Sequence, residues 1–360
     1  MTLSPVALLL AATPSPLATA KATSHATPTP VSHAGPGLAL PHFAPWPPVF
    51  AVGIPLLLGL VLMPWFIGRL SRAGMGQKIR EEGPRDHLAK AGTPTAGGLL
   101  VVGLVLLTVL LLDRRTEVLP VVAALVLGAS FGLVDDVVTT QGQARGLLAR
   151  QRIGVQLIIG FVIAYWLLRT GADRQLLPWG AWRMGWLLLV VGPIAIAAST
   201  NAFNLTDGSD GLMPGVALVF ALMLALVERR VGGDHVALVR ILLATIGALA
   251  AFLVYNIPPA RVFIGGVGAE GLGTMLAAAA IAGGLLWFLP LLAIVPLLET
   301  ASVIAQVYSF KRYGRRIFRM SPIHHHFQLG GWGEWRVAWM GWAVTLAGGF
   351  VTFVLTRRYA

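Results

Sequence analysis

The chain of 360 residues contains no cysteine, which excludes a disulfide framework, a thiolate zinc site, an iron–sulfur cluster and a cysteine nucleophile. Charge is also scarce. Only 12% of the residues are Asp, Glu, Lys or Arg, about half the share of a soluble domain, and the acids number 15. The length alone would allow two soluble domains, but the uncharged runs are too long for them. Apolar side chains are abundant, with 56% of residues hydrophobic. The formal charge of +12 therefore fits loops that face anionic lipid or a phosphorylated substrate, and no nucleic acid is expected as a partner. The composition is that of a polytopic membrane protein embedded in a lipid bilayer.

A span needs about 20 mainly apolar residues. By that rule the sequence predicts spans at 49–69, 96–112, 118–138, 153–168, 185–203, 212–227, 237–255, 272–285, 287–306 and 337–355. Gly283, Gly284 and Pro290 divide the last long stretch into two. The expected fold class is all-α, an integral membrane protein of about ten transmembrane helices. An even number of spans puts both ends of the membrane domain on one side. The connections 70–95, 139–152, 204–211, 256–271 and 307–336, with Arg69, hold 16 of the 27 lysines and arginines. The positive-inside rule makes those connections cytoplasmic and both termini external. Residues 1–48 are rich in Ala, Pro and Thr, and Leu8 to Ala12 resembles a short signal segment without a basic start. A disordered external tail is the expectation for 1–48, and a membrane domain for 49–356.

Polar residues gather almost entirely at the ends of spans on the side read as cytoplasmic. Asp135 and Asp136 close the third span after Phe131-Gly132-Leu133-Val134. Two adjacent carboxylates at a membrane edge repel one another, and a cation or a proton is expected to compensate. Asn201, Asn204, Thr206, Asp207, Ser209 and Asp210 follow the fifth span with no base among them. They offer hard oxygen donors suited to magnesium, a sugar or a base. The segment Asn256 to Gly268 carries Gly265, Gly266 and Gly268, whose amides are read as a nest around phosphate. The basic loop 307–336 contains Pro322-Ile323-His324-His325-His326-Phe327. Three consecutive histidines cannot face one ion from a helix, so anion recognition is the better reading. Lys90 beside Thr93 and Thr95 suits phosphate, and Glu299 and Gln306 share a polar face of the ninth span. Ionisable groups at span ends, and not at mid-depth, favour an enzyme with a cytoplasm-facing cleft over a transporter.

In order along the chain, Gly76-Gln77 through Thr95-Ala96-Gly97-Gly98, Gly132 to Asp136, Asn201 to Leu212, Asn256 to Gly268, Glu299 to Gln306 and Pro322 to Phe327 with Gly331-Trp332 carry a resemblance. They resemble the polyprenyl-phosphate N-acetylhexosamine-1-phosphate transferase superfamily (glycosyltransferase 4 family), over roughly residues 49–356. The run Pro322 to Phe327 is similar to its phospho-N-acetylmuramoyl-pentapeptide-transferase branch. The resemblance implies ten helices, often a homodimer, in the bacterial cell (inner) membrane. It also implies transfer of phospho-N-acetylmuramoyl-pentapeptide from UDP-N-acetylmuramoyl-pentapeptide to undecaprenyl phosphate, giving lipid I and UMP in peptidoglycan synthesis, with Mg2+. By position it assigns catalysis to Asp135 and Asp136 and a magnesium-linked amide to Asn204. Asp207 and Asp210 match the nucleotide pocket, and Asn256, Phe263 and Gln306 surround the uridine. Lys90 matches a phosphate-contacting lysine, and His324, His325 and His326 line the sugar-phosphate site.

The chain departs from that pattern at three positions. Where the branch carries a magnesium-ligating aspartate, a serine and a lysine, this sequence has Gly266, Ala269 and Thr139. Three readings follow: Glu270 supplies a substitute carboxylate, the remaining Asp135, Asp136, Asn204 and Asp207 suffice, or the chain is a non-catalytic homologue. A relative acting on another N-acetylhexosamine-1-phosphate is the alternative within the enzyme class.

Overall fold

The computed structural model describes residues 47–74, 92–113, 115–140, 148–231 and 235–359. Lys90 and nearly all of the expected tail 1–48 lie outside the described residues. The helices are α1 (Pro48–Arg72), α2 (Gly98–Leu112), α3 (Leu119–Thr140), α4 (Ala149–Arg169), α5 (Leu188–Thr206) and α6 (Leu212–Val231). They continue as α7 (Val236–Asn256), α8 (Gly265–Ala282), α9 (Leu289–Leu292), α10 (Ile294–Tyr313), α11 (Ile323–Gln328) and α12 (Glu334–Leu355). Among the described residues, eight helical segments are long and apolar enough to cross a membrane, and the pair Leu286–Leu292 with Ile294–Tyr313, bent by 78°, makes a ninth when taken as one span. The shorter apolar α2, with 15 residues and about 22 Å of helix, lies where the second span, 96–112, was expected. The chain is an all-α multi-pass membrane protein. Its one sheet among the described residues is a hairpin of β1 (Arg174–Leu177) and β2 (Gly180–Arg183).

Leu57, Val61, Trp65, Leu110, Ile158 and Phe161 are exposed, as expected of side chains that face hydrocarbon. The inside is organised by α8, whose residues from Gly265 to Ile281 are all buried. Small side chains permit this. Lipid provides little hydrophobic drive between helices, so association depends on close backbone contact. A Cβ on Gly98 would lie 2.4 Å from the Gly268 Cα, and one on Gly132 would lie 2.2 Å from the Gly266 carbonyl oxygen. These contacts bring the start of α2 and the end of α3 against the first turns of α8.

Two sequence expectations need correction. The eighth span begins at Gly265 and not at 272, so half of the segment read as the 256–271 loop is helix. Glycine is a poor helix former, but packing against Gly98 and Gly132 overrides that preference. The ninth span, read as one helix over 287–306, bends at Ala293, and its longer arm runs on to Tyr313.

Candidate active site

Chain alternation puts the ends of α3, α5 and α7 and the starts of α4, α6 and α8 at one end of the bundle. The polar residues singled out in the sequence meet there. Asp136 lies against the start of α8, where its Oδ1 accepts the Gly266 amide at 3.1 Å and its Oδ2 the Val267 amide at 3.2 Å. The nest expected around phosphate is thus engaged by a carboxylate of the protein itself, at a helix N-terminus that favours negative charge. Asp135 faces Arg152, the fourth residue of α4, at 3.5 Å between Oδ2 and Nη1.

Arg152 is the residue that sequence reasoning missed. Its Nη2 donates to Glu270 Oε1 at 2.8 Å. Glu270, in the second turn of α8, is fully buried, and the same oxygen accepts the Asn204 Nδ2 at 3.2 Å. Asp135, Asn204, Glu270 and Arg152, from four helices, form one polar cluster. Thr139, at the position of the lost lysine, donates its hydroxyl to the Asp135 carbonyl at 2.7 Å.

The turn after α5 supplies the next wall. Asp207 follows the helix and its carboxyl is pushed up to about 7, first by burial and then by the Asp136 and Asp210 carboxylates, against the Gly265 amide that favours its charge. Asp210 is buried and its Oδ2 accepts the Ala260 amide at 2.9 Å. Asn256 is buried too: its Oδ1 accepts the Gly211 amide at 3.0 Å and its Nδ2 donates to the Val262 carbonyl at 2.8 Å. These two side chains bind the turn after α5 to the segment before α8. Phe263, half-buried, is tied through its backbone to Pro94 and Gly97.

The histidines close the site from α11. The His324 ring lies on Gly208, where a Cβ would meet Nε2 at 2.4 Å, so glycine is required there. His324 is buried, and its Nδ1 is 3.1 Å from Glu299 Oε2 but outside hydrogen-bond geometry. Its backbone amide donates to the same oxygen at 3.2 Å. His325 Nδ1 pairs with Gln328 Oε1 at 2.8 Å, and Gln328 Nε2 donates to Ser209 at 3.0 Å. His326 Nδ1 accepts the Arg319 amide at 3.1 Å. Gln306 binds the backbone of Ile317 and Phe318 with both ends of its amide. Gln306 therefore shapes the basic loop from a distance, whereas His324 reaches the turn that carries Asp207.

This chemistry suits an anionic, transferable group: paired carboxylates, a guanidinium among them, helix-terminal amides and imidazoles at the rim. The sequence comparisons agree. Residues 118–284 match the family described as Glycosyl transferase family 4. A phospho-N-acetylmuramoyl-pentapeptide-transferase of Moorella thermoacetica is 41% identical over 306 residues, covering 83% of this chain and 94% of that protein. One from Heliobacterium modesticaldum is 40% identical over 319 residues, covering 85% and 97%. A third, from Geobacillus thermodenitrificans, is 38% identical over 307 residues, covering 83% and 94%. The chain belongs to glycosyl transferase family 4 and, within it, to the phospho-N-acetylmuramoyl-pentapeptide-transferases, and is a membrane-bound transferase of that type.

Proposed function

We propose that the protein transfers phospho-N-acetylmuramoyl-pentapeptide from its UDP carrier to undecaprenyl phosphate, releasing UMP and leaving lipid I in the membrane. The observation that carries this reading is the convergence of Asp135-Asp136, Asn204, Asp207 and His324 at one end of the bundle, in a chain whose relatives bear that name. The reaction joins an oxygen of the lipid phosphate to the β-phosphorus of the donor and breaks the bond to UMP. Catalysis of such a step is mostly positioning and charge neutralisation. By the positive-inside rule the site opens to the cytoplasm of a bacterial inner membrane, and both termini are external. The family resemblance supports a homodimer.

Asp135 is the group placed to take the proton of the lipid phosphate, since its carboxylate lacks the amide partners that hold Asp136. Asp136 fixes the start of α8 relative to α3. Asp207, the neighbour of Gly208 under the His324 ring, belongs to the donor side of the cleft. Lys90, outside the described residues, is proposed as a phosphate contact on the strength of its motif.

Magnesium, implied by the resemblance, needs several hard oxygens converging on one point. The described residues do not fit it. No three Asp, Glu or His side chains among them converge in that way. Both Asp136 oxygens accept amides, Glu270 Oε1 is shared by Arg152 and Asn204, and Gly266 contributes no carboxylate. Gly266 also favours a second reading, a homologue without turnover.

UMP release by the purified protein, given UDP-N-acetylmuramoyl-pentapeptide with and without undecaprenyl phosphate, separates the two. Lipid-dependent release is expected, with loss of at least about a hundredfold in Asp135→Asn, the scale for removing a proton-transfer group. No release from folded wild-type protein would leave the second reading.

A further inference from the structure

A carboxylate buried in a membrane helix is costly and calls for a partner. Glu270 is fully buried in α8, its Oε2 lacks any hydrogen-bond partner, and its Oε1 accepts Arg152 at 2.8 Å and the Asn204 amide at 3.2 Å, so Arg152 is its charged partner. Arg152 is itself committed on two sides, with Nη2 on Glu270 and Nη1 3.5 Å from Asp135. Its side chain is 23% exposed, so the guanidinium is held from below and remains open to the site. This ion pair stands in a site that lacks a carboxylate at Gly266 and a lysine at Thr139. A dication placed beside Asp135 would meet the charge of Arg152, whereas an anion would meet a pre-oriented fork of donors.

We infer that Arg152, oriented by Glu270, is the cation that binds the donor's diphosphate in this site, and that donor binding does not require a divalent metal. The inference rests on the transferase reading above. Arg152 is a phosphate-binding residue in this account. Glu270 is a positioning residue that acts through it.

The test is equilibrium binding of UDP-N-acetylmuramoyl-pentapeptide to the full-length protein in detergent, in magnesium and in EDTA. Wild-type affinity is expected to agree within about threefold between the two conditions. Arg152→Gln should weaken binding in EDTA by about tenfold or more, the scale of a charge-assisted contact to phosphate. Because that variant strands Glu270, the doubly neutral Arg152→Gln/Glu270→Gln protein is the companion measurement. It should fold and show the same loss, and Glu270→Gln alone should show a smaller one. Wild-type binding that falls more than about tenfold in EDTA overturns the inference and leaves the transferase reading intact. A doubly neutral variant that binds as wild type does overturns it as well, by reducing the pair to a structural role. Wild-type protein that binds no donor under either condition overturns both readings together.

Discussion

Asp207 is half-buried in the turn after α5; burial of its carboxyl first, and then the like charges of Asp136 and Asp210, raise it from 3.8 to about 7. Its folded form therefore holds a proton that the unfolded chain has already released. The sign follows: stability should fall as pH rises from about 4 to about 7, by at most about 1.4 kcal/mol per pH unit from this group. Asp207→Asn removes that dependence. Its gain in thermal unfolding midpoint over wild type is expected to be larger at pH 8 than at pH 5, and an equal shift at both would contradict the placement. Gly266 makes a second residue-scale case. A Cβ there would come within 2.8 Å of Asp136 Oδ1, so Gly266→Asp must turn Asp136 away from the amides of α8 and add a carboxylate beside it. Magnesium should then raise the unfolding midpoint of the variant and leave that of wild type unchanged. Equal responses in the two proteins would remove the lost-ligand argument. At Gly208 there is no room for a methyl group under His324, and Gly208→Ala should impair transfer by displacing the imidazole while the bundle stays folded.

At the scale of elements, α8 explains what the sequence reveals and what it conceals. Apolar runs of span length gave the positions of the helices, since lipid demands them. The start of α8 escaped that rule. Gly265, Gly266 and Gly268 read as a loop because their helical preference is low, and only their neighbours on α2 and α3 show why glycine is needed. Glu270 followed them into the supposed loop, and Arg152 passed for one more positive-inside residue, so their ion pair was not legible. The hairpin of β1 and β2 was also missed, since eight residues between two spans carry too short a pattern. The Asp135-Asp136 pair, Asn204 and the histidine run were legible because polar residues at span ends stand out against apolar surroundings. Asn256 and Gln306 were legible as important, but both side chains bind backbone, a distinction that needs three dimensions. The same close contact gives a prediction: Gly132→Ala pushes a methyl group into the Gly266 carbonyl and should cost about 1–3 kcal/mol of stability. A midpoint within a degree of wild type would show that α3 and α8 are not locked there.

Across the whole molecule, the buried and half-buried acids differ between the two ends. At the end of the bundle away from the site, Asp113 pairs with Arg240 at 2.8 Å and accepts the Arg115 amide at 3.0 Å, and Glu228 pairs with His235 at 2.6 Å. At the other end Asp135, Asp136, Asp207, Asp210 and Glu270 crowd together with Arg152. A site for phosphoryl transfer must offset such a concentration of negative charge, and Arg152 with the helix-terminal amides of α8 are the groups placed to do so. The mass of the lipid product tests the proposed transfer most directly. The purified protein would receive undecaprenyl phosphate with UDP-N-acetylmuramoyl-pentapeptide and UDP-N-acetylglucosamine in competition. The expected product is undecaprenyl-diphospho-N-acetylmuramoyl-pentapeptide, with one UMP for each molecule formed. A product carrying only N-acetylglucosamine, or none from folded protein, would contradict it.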